Sequence, residues 1–365
     1  MRSTQITAKH LQVLIALQEG PMDTLEEIAA HVQMSKTTVA SYLKWLSGAK
    51  KSSKRYFRVI PHLDEDALGM HTVDVFFETP TNESLKAVEL LCDEHPYTKY
   101  RARSYGGGSE VFAQFRIPKG SMHLLRRFLD TSKKKSTFKD YRLLPTENTR
   151  TLFTVPQLEF WNIESFSWDF NWNKWLKQLS AISIDPVEPP NGSKIDLLSK
   201  SDVSILSSIS TNGIRRKQKD IMQELKGMGV EFTSQEFSRR MQLLKEHFIL
   251  QYHVYIDSDT FDLYSNVVIT ANCDPDFSSA FQSLIKTRPF PFRTTLRMTD
   301  DFMFWYLRLP SGHLSKLLSI LHENVENLRL STIDYEKTSV YGIWDEAFDE
   351  ERNQWRTDPR FMMCE

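Results

Sequence analysis

The sequence predicts an α+β fold in which one arrangement of helices and strands occurs twice. A helical region is followed by a region where strand-like and helix-like patterns interleave, and the same order returns later in the chain. Residues 112–120 and 304–312 also share Phe, Arg, Pro and Gly at matching positions, 192 residues apart. With 365 residues, of which 40% are hydrophobic, the chain can form more than one core. An internal duplication explains these observations together.

The first 61 residues are predicted to form a winged helix-turn-helix. Thr24 and Glu27 have the spacing of a capping box, and Ser35 is a good N-cap. Residues 54–60 are rich in β-forming side chains, which favours a wing-like hairpin or strand. Apolar residues recur at helical spacing in three segments: 6–18, 24–34 and 36–46.

The charges of this unit indicate a polyphosphate partner. From Gln33 to Arg58 there are seven Lys or Arg residues and no Asp or Glu. A solvated face normally mixes both signs, so we favour DNA over a solvated helix or a protein-binding winged helix. Candidates for contacts near the bases are Lys36, Thr37, Thr38, Ser41 and Tyr42. Candidates for backbone contacts are Lys44, Lys50, Lys51, Lys54 and Arg55.

The region that follows, residues 62–150, reads as β-α-β-β-α-β and predicts a ferredoxin-like α/β sandwich. Residues 196–257 and 258–340 repeat the two units. In the second helix-turn-helix, Arg239 and Arg240 point outward and are further DNA candidates. Acidic residues are interleaved with them. We therefore interpret this unit either as one that binds DNA more weakly or as one that has kept only a structural role.

Two further segments belong to neither unit: an aromatic connector with a linker over 151–195 and an acidic tail over 341–365. Phe166, Trp168, Phe170 and Trp172 alternate strictly, which predicts a strand with one aromatic face. Such a face either seals a domain interface or stacks on a flat ligand or base.

Two junctions resemble a known family. Residues 62–69, His-Leu-Asp-Glu-Asp-Ala-Leu-Gly, and residues 240–249 resemble the corresponding junctions of leucine-responsive (Lrp/AsnC) transcription regulators of bacteria and archaea. The resemblance implies double-stranded DNA as a partner, pairing of sandwich domains, including into a homodimer, and a small-molecule effector. Its effector loop, Gly-x-x-Asp in the family, falls here at Gly106, Gly107, Gly108 and Ser109 in one copy and at Asp300 and Asp301 in the other. The glycine run otherwise reads as a mobile hairpin loop.

Composition narrows the classes of function. The net charge is -1, and the three cysteines are far apart, which argues against a disulfide framework or a zinc site. No apolar run is long enough for a membrane span, so a cytoplasmic protein without a membrane partner is expected. No catalytic, metal or phosphate-loop motif is present. We therefore expect no cofactor, no metal site and no enzymatic activity.

The sequence is interpreted as a sequence-specific DNA-binding transcriptional regulator that acts as a single-chain pseudo-dimer. The first alternative is an enzyme resembling siroheme decarboxylase, because those enzymes resemble the same family in architecture and sometimes occur as two fused copies. The second alternative is a protein-interaction scaffold that uses the aromatic segment and the acidic tail.

Overall fold

The computed structural model describes residues 6–48, 54–146, 149–179, 182 and 192–364. It confirms the predicted class, because the fold is α+β and built as a tandem duplication. The helices are α1 Ala8–Glu19, α2 Leu25–His31, α3 Lys36–Leu46, α4 Asn82–Glu94, α5 Met122–Lys134, α6 Trp172–Leu176, α7 Lys200–Asn212, α8 Gln218–Gly227, α9 Ser234–His247, α10 Pro275–Thr287, α11 Ser311–His322 and α12 Pro359–Met362. None of the described helices is long and apolar enough to cross a membrane.

The strands are β1 Phe57–Leu63, β2 Met70–Glu78, β3 Thr98–Tyr105, β4 Ser109–Pro118, β5 Asp140–Leu143, β6 Leu152–Thr154, β7 Trp161–Asn162, β8 Ser167–Trp168, β9 Ile249–Ile256, β10 Ser265–Asn272, β11 Arg293–Met298, β12 Phe302–Leu309, β13 Glu326–Val340, β14 Phe348–Asp349 and β15 Gln354–Trp355. Nine of them form one sheet in the order β5-β2-β4-β3-β13-β10-β12-β11-β6. The two copies therefore join edge to edge, through β3 and β13.

The helix-turn-helix units form as the caps predict. Thr24 and Glu27 make a reciprocal capping box at the start of α2, and the Ser35 side chain caps α3. These side chains satisfy backbone N–H groups that have no partner within the helix. Helix α3 buries Val39, Leu43 and Leu46, which leaves its other face available for contacts outside the unit.

The predicted wing pairs with the other copy. Strand β1 forms an antiparallel two-stranded ribbon with β9, and among the described residues it has no hairpin partner in its own unit. Val59 and Val254 are opposite each other and buried. Because alternate side chains point to opposite faces of a strand, Arg58, Ile60 and His62 lie on the other face of the ribbon. The ribbon thus holds the two helix-turn-helix units together.

The connector and the tail are equivalent parts of the duplication, exchanged between the copies. In the connector, Trp168 Nε1 donates a hydrogen bond to the carbonyl of Phe261 in the second copy, at 2.6 Å. In the tail, Trp355 Nε1 donates to the carbonyl of Leu68 in the first copy, also at 2.6 Å. Each copy therefore completes the core of the other. The six domain limits given above stay predictions.

The predicted aromatic strand is wrong. Only Ser167 and Trp168 are extended there, and α6 starts at Trp172 because the Asn171 side chain caps it. The exposed Phe166 has a positive φ of 50°, which interrupts the alternation. Trp168, Trp172 and Trp175 are buried against aromatic residues of the second sandwich, so these rings seal an interface.

Candidate ligand-binding site

A cavity of about 640 Å³ lies between the β1–β9 ribbon and the central sheet, and both copies line it. This volume is within the usual range for ligand sites in proteins. Seven basic side chains line it, against two carboxylates among the described residues, Glu65 and Asp257. The basic residues are Arg55, Arg58, Lys99, Arg116, Arg293, Arg297 and Arg308. The cavity is therefore suited to an anion.

Side chains alternate between the two faces of each strand, and this alternation places the charged residues on the cavity side of the sheet. Gln114 and Arg116 on β4 share a face, as do Tyr306 and Arg308 on β12. The opposite face of the sheet packs against helices through residues such as Phe77. The floor of the cavity also joins the copies directly, because the hydroxyls of Tyr100 and Tyr306 are hydrogen-bonded at 2.9 Å. Burial and the neighbouring Tyr306 raise the pKa of Tyr100 well above its usual value.

One half of the cavity contains its own carboxylate; we call it the Glu65 half, comprising Glu65, Thr72, Lys99 and Arg116. Glu65 Oε1 accepts hydrogen bonds from Lys99 Nζ at 2.6 Å and from Arg116 Nε at 3.1 Å, and Thr72 also donates to Glu65. Burial would raise the pKa of Glu65, but Lys99 and Arg116 outweigh it and hold the pKa far below its usual value. Glu65 is thus an anion held by two cations.

The other half holds arginines without carboxylate partners; we call it the arginine half, comprising Arg58, Arg293, Arg308, Tyr255 and Ser258. The Arg293 guanidinium lies 4.8 Å from the centre of the Tyr255 ring, and Arg58 is opposite Tyr255 in the β1–β9 ribbon. Arg308 Nη1 donates to Ser258 Oγ at 2.6 Å. Burial, with Arg293 contributing, lowers the pKa of Arg308. In the described part of the chain none of the three arginines makes an ion pair.

Two histidines meet at the ribbon. His62 Nδ1 and His253 Nε2 are 3.4 Å apart, and the Phe153 ring packs against both. Burial, with Lys99 contributing, lowers the pKa of His62 to about 4. Burial, with His62 and Arg293 contributing, lowers the pKa of His253 to about 3. Both imidazoles are therefore uncharged at neutral pH.

A fully buried ion pair supports the floor. Arg297 of the second copy donates to Asp74 of the first, and 2% and 0% of their side chains are exposed. Asp74 also accepts hydrogen bonds from Gln114 Nε2 at 2.7 Å and from Thr146 Oγ1 at 2.9 Å. These contacts fix Arg297 at the edge of the cavity.

The predicted DNA-contacting residues of the first copy lie mostly away from this cavity. Thr37, Ser41 and Lys44 are exposed on α3, and Thr38 is half-buried. Lys36 is exposed and ion-paired with Glu26, and Tyr42 is half-buried with its ring against His10. Lys54 is ion-paired with Asp257 at 2.6 Å, and Arg55 lines the cavity. Lys50 and Lys51 lie outside the described residues.

The remaining predicted site residues are dispersed. Arg239 is exposed on α9, whereas Arg240 Nε donates to the buried Asp202 at 2.7 Å and so joins two helices of its own unit. The predicted effector loops are apart from the cavity lining. Gly106, Gly107, Gly108, Asp300 and Asp301 are exposed and Ser109 is half-buried. Their roles, like those of the DNA candidates, stay predictions.

Apart from Arg55 and Arg58, which belong to the basic run, the cavity residues have no predicted role, although the sequence contains one signal for them. The duplicated segments 112–120 and 304–312 each have an arginine in phase with an aromatic residue of a buried strand: Arg116 with Phe112, and Arg308 with Phe304. A charged side chain on a buried strand needs a partner or a ligand. The partners come from distant segments, so the site could not be read from spacing.

The fold and the cavity define a class of protein: a duplicated α+β chain with a cationic cavity shared by its copies.

No protein-family model and no curated protein matches the sequence. The solved structure of the siroheme decarboxylase NirDL is similar, with 11% identity, a TM-score of 0.52, and coverage of 92% of this chain and 96% of that one. NirDL in complex with an iron-uroporphyrin III analogue gives 12% identity, a TM-score of 0.53, and coverage of 92% and 95%. The LrpC structure of B. subtilis covers 39% of this chain and 96% of its own, with 13% identity and a TM-score of 0.30.

The full-length likeness corrects one prediction. The expectation that the chain is not an enzyme is wrong, since solved structures that share its architecture along nearly its whole length are those of an enzyme. That expectation was based on the lack of a short catalytic motif. A site assembled from β1, β4, β9, β11 and β12 has no such motif to detect.

Proposed function

We propose that the chain is a decarboxylase of iron-containing tetrapyrroles that bear several carboxylates. The observation that supports this most is the arginine half, where Arg58 and Arg293 flank Tyr255, Arg308 is bonded to Ser258, and none of the three arginines is ion-paired among the described residues. Guanidinium groups bind carboxylates through paired hydrogen bonds. NirDL, which shares the fold, has been solved with an iron-uroporphyrin III analogue, a ligand of this chemical class.

The lining of the cavity fits a flat ligand with charged edges. Its lining combines arginines with the rings of Tyr255, Phe153 and Tyr306. Aromatic faces accept a planar ring, and cations at the perimeter bind its carboxylates. Because the lining comes from both copies, the whole duplicated chain is needed to form one site.

The reaction requires one proton and no oxidant. In a carboxymethyl side chain, the bond between the methylene and the carboxylate carbon breaks, carbon dioxide leaves, and the electron pair stays on the methylene carbon. That carbon takes a proton and becomes a methyl group. In this proposal His62, which lines the cavity, supplies the proton as a general acid once it is protonated, and His253 contacts His62 at 3.4 Å. The arginines hold the other carboxylates and so fix which side chain reacts.

A visible absorbance titration tests this proposal. Adding siroheme to the purified protein is expected to shift the absorbance bands of the tetrapyrrole and to saturate at one equivalent per chain. Unchanged bands up to a large excess of siroheme would contradict the proposal.

Binding is expected to take up protons. In the free protein, burial and nearby cations keep the pKa of His62 at about 4 and that of His253 at about 3. A bound polycarboxylate offsets those cations and raises both pKa values, so near pH 6 the complex holds more protons than the separate partners. Calorimetry in MES and in Bis-Tris buffer measures this, because both buffer near pH 6 and their ionisation enthalpies differ. Equal apparent enthalpies in both buffers would exclude proton uptake.

A second candidate function is sequence-specific binding of double-stranded DNA as a transcriptional regulator. It is favoured by the exposed face of α3, where Thr37, Ser41 and Lys44 are accessible. This face lies on the first helix-turn-helix unit and is separate from the cavity lining. DNA binding and tetrapyrrole decarboxylation can therefore coexist in one chain. Pairing of two chains into a homodimer stays a prediction.

Lys44→Ala is expected to weaken DNA binding to all sequences alike. Losing one phosphate contact lowers the slope of log affinity against log salt by about 0.9. Fluorescence anisotropy with genomic fragments at several salt concentrations measures the slope, and Lys133→Ala on the sandwich surface is the matched control. A slope identical to that of the unchanged protein would remove Lys44 from the interface.

A further inference from the structure

The two halves of the cavity are equivalent in backbone but different in charge. Met70 N donates to the Glu65 carbonyl at 2.8 Å, and Leu263 N donates to the Ser258 carbonyl at 3.0 Å. Glu65 follows the end of β1 by two residues, and Ser258 follows the end of β9 by two residues. Glu65 and Ser258 therefore occupy the same place in the two copies.

The arginines that face these two residues are also equivalent. Arg116 and Arg308 hold matching positions in the duplicated segments, on β4 and β12. Arg116 Nε donates to the Glu65 carboxylate at 3.1 Å, whereas Arg308 Nη1 donates to the Ser258 hydroxyl at 2.6 Å. The first copy thus supplies its arginine with an internal anion, and the second copy supplies a neutral hydroxyl in the same place.

We propose that Glu65 is a specificity-determining residue that takes the place of a ligand carboxylate and closes its half of the cavity to anions. A polycarboxylate then binds in one orientation, with its charged groups on Arg58, Arg293 and Arg308. Lys99 strengthens the closure, since its Nζ lies 2.6 Å from Glu65 Oε1 and 3.0 Å from Thr72 Oγ1. The proposal rests on the proposed function for the natural ligand, a tetrapyrrole.

The Glu65 half and the arginine half differ in charge although their backbones are equivalent. This difference explains why a ligand would bind in a single orientation. Without Glu65, Lys99 and Arg116 would face Arg293 and Arg308 across a cavity with comparable charge on both sides. A ligand with carboxylates around its whole edge would then bind in two orientations of similar free energy, and the reacting side chain would not be fixed. With Glu65 present, an anion entering its half meets an additional negative charge.

Citrate is a suitable probe, because it has three carboxylates and does not depend on tetrapyrrole chemistry. Isothermal titration calorimetry on the full chain is expected to give one citrate per chain. Glu65→Gln keeps the shape of the side chain but frees Lys99 and Arg116, so two citrates per chain are expected. Ser258→Glu supplies the second copy with its own carboxylate, and its affinity for citrate is expected to fall at least about tenfold, as the loss of one charge-assisted hydrogen bond predicts.

Glu78→Gln is the matched control, because Glu78 makes a comparable ion pair with Lys139 on the exposed surface. Its stoichiometry and affinity are expected to equal those of the unchanged protein. Circular dichroism confirms that each variant is folded. Two citrates or none in the unchanged protein, one citrate in Glu65→Gln, or undiminished binding in Ser258→Glu would each overturn the proposal. Since citrate reports on the cavity itself, a failure of siroheme binding alone would count against the proposed function and not against this assignment.

Discussion

Replacing Arg293 and Arg308 together by alanine is expected to weaken the binding of iron-uroporphyrin III about 100-fold or more. A hydrogen bond to a charged group contributes about 1.5–3 kcal/mol when it is formed within a protein, and two such contacts are lost. Each 1.4 kcal/mol corresponds to about a factor of ten in affinity. Absorbance titration of the tetrapyrrole bands measures the change.

These two arginines test ligand binding most clearly, because neither forms an ion pair with a carboxylate of the described residues. Their removal therefore leaves no buried anion without a partner, and the fold is expected to stay intact. Arg352→Ala with Arg360→Ala is the control, since both lie exposed in the tail. A loss of affinity in the control equal to that in Arg293→Ala, Arg308→Ala would show that general charge, and not the cavity, binds the ligand.

Asp74→Ala is expected to lower the free energy of unfolding by about 3–5 kcal/mol, the usual result when one member of a buried ion pair is removed. The change leaves Arg297 charged and buried, and it also removes the acceptor for Gln114 and Thr146. Urea unfolding followed by circular dichroism measures the loss.

The control for Asp74 is Asp349→Ala, which breaks a partly exposed pair with Arg352, since 28% of the Asp349 side chain and 75% of the Arg352 side chain are exposed. Such pairs contribute about 0–1 kcal/mol. The double replacement Asp74→Leu, Arg297→Met is expected to be more stable than Asp74→Ala, because it leaves no buried charge behind. If Asp74→Ala unfolded at the same urea concentration as the Asp349→Ala protein, the buried pair would not hold the two copies together as described.

Much of the fold follows from local signals. The caps at Thr24 and Ser35 form as their spacing predicts, and the duplicated segments 112–120 and 304–312 lie on the equivalent strands β4 and β12. Caps and strand periodicity depend on residues close in sequence, so they can be recognised in a single chain.

The cavity and the exchange of segments depend on contacts between residues far apart. Trp168 and Trp355 bond to carbonyls of the opposite copy, and β1 finds its partner strand almost 200 residues later. The basic run from Gln33 to Arg58 was interpreted as a DNA surface as a whole, but Lys54, Arg55 and Arg58 lie at or next to the cavity. Local charge alone does not reveal which way a strand faces.

Incubating the purified chain with siroheme under anaerobic conditions, followed by mass spectrometry of the extracted tetrapyrrole, tests the central claim most directly. We expect products lighter than siroheme by whole molecules of carbon dioxide, in amounts that rise with time and exceed the amount of protein. We also expect that Arg293→Ala, Arg308→Ala forms little or none of these products. Siroheme recovered unchanged after binding to the protein would contradict the account.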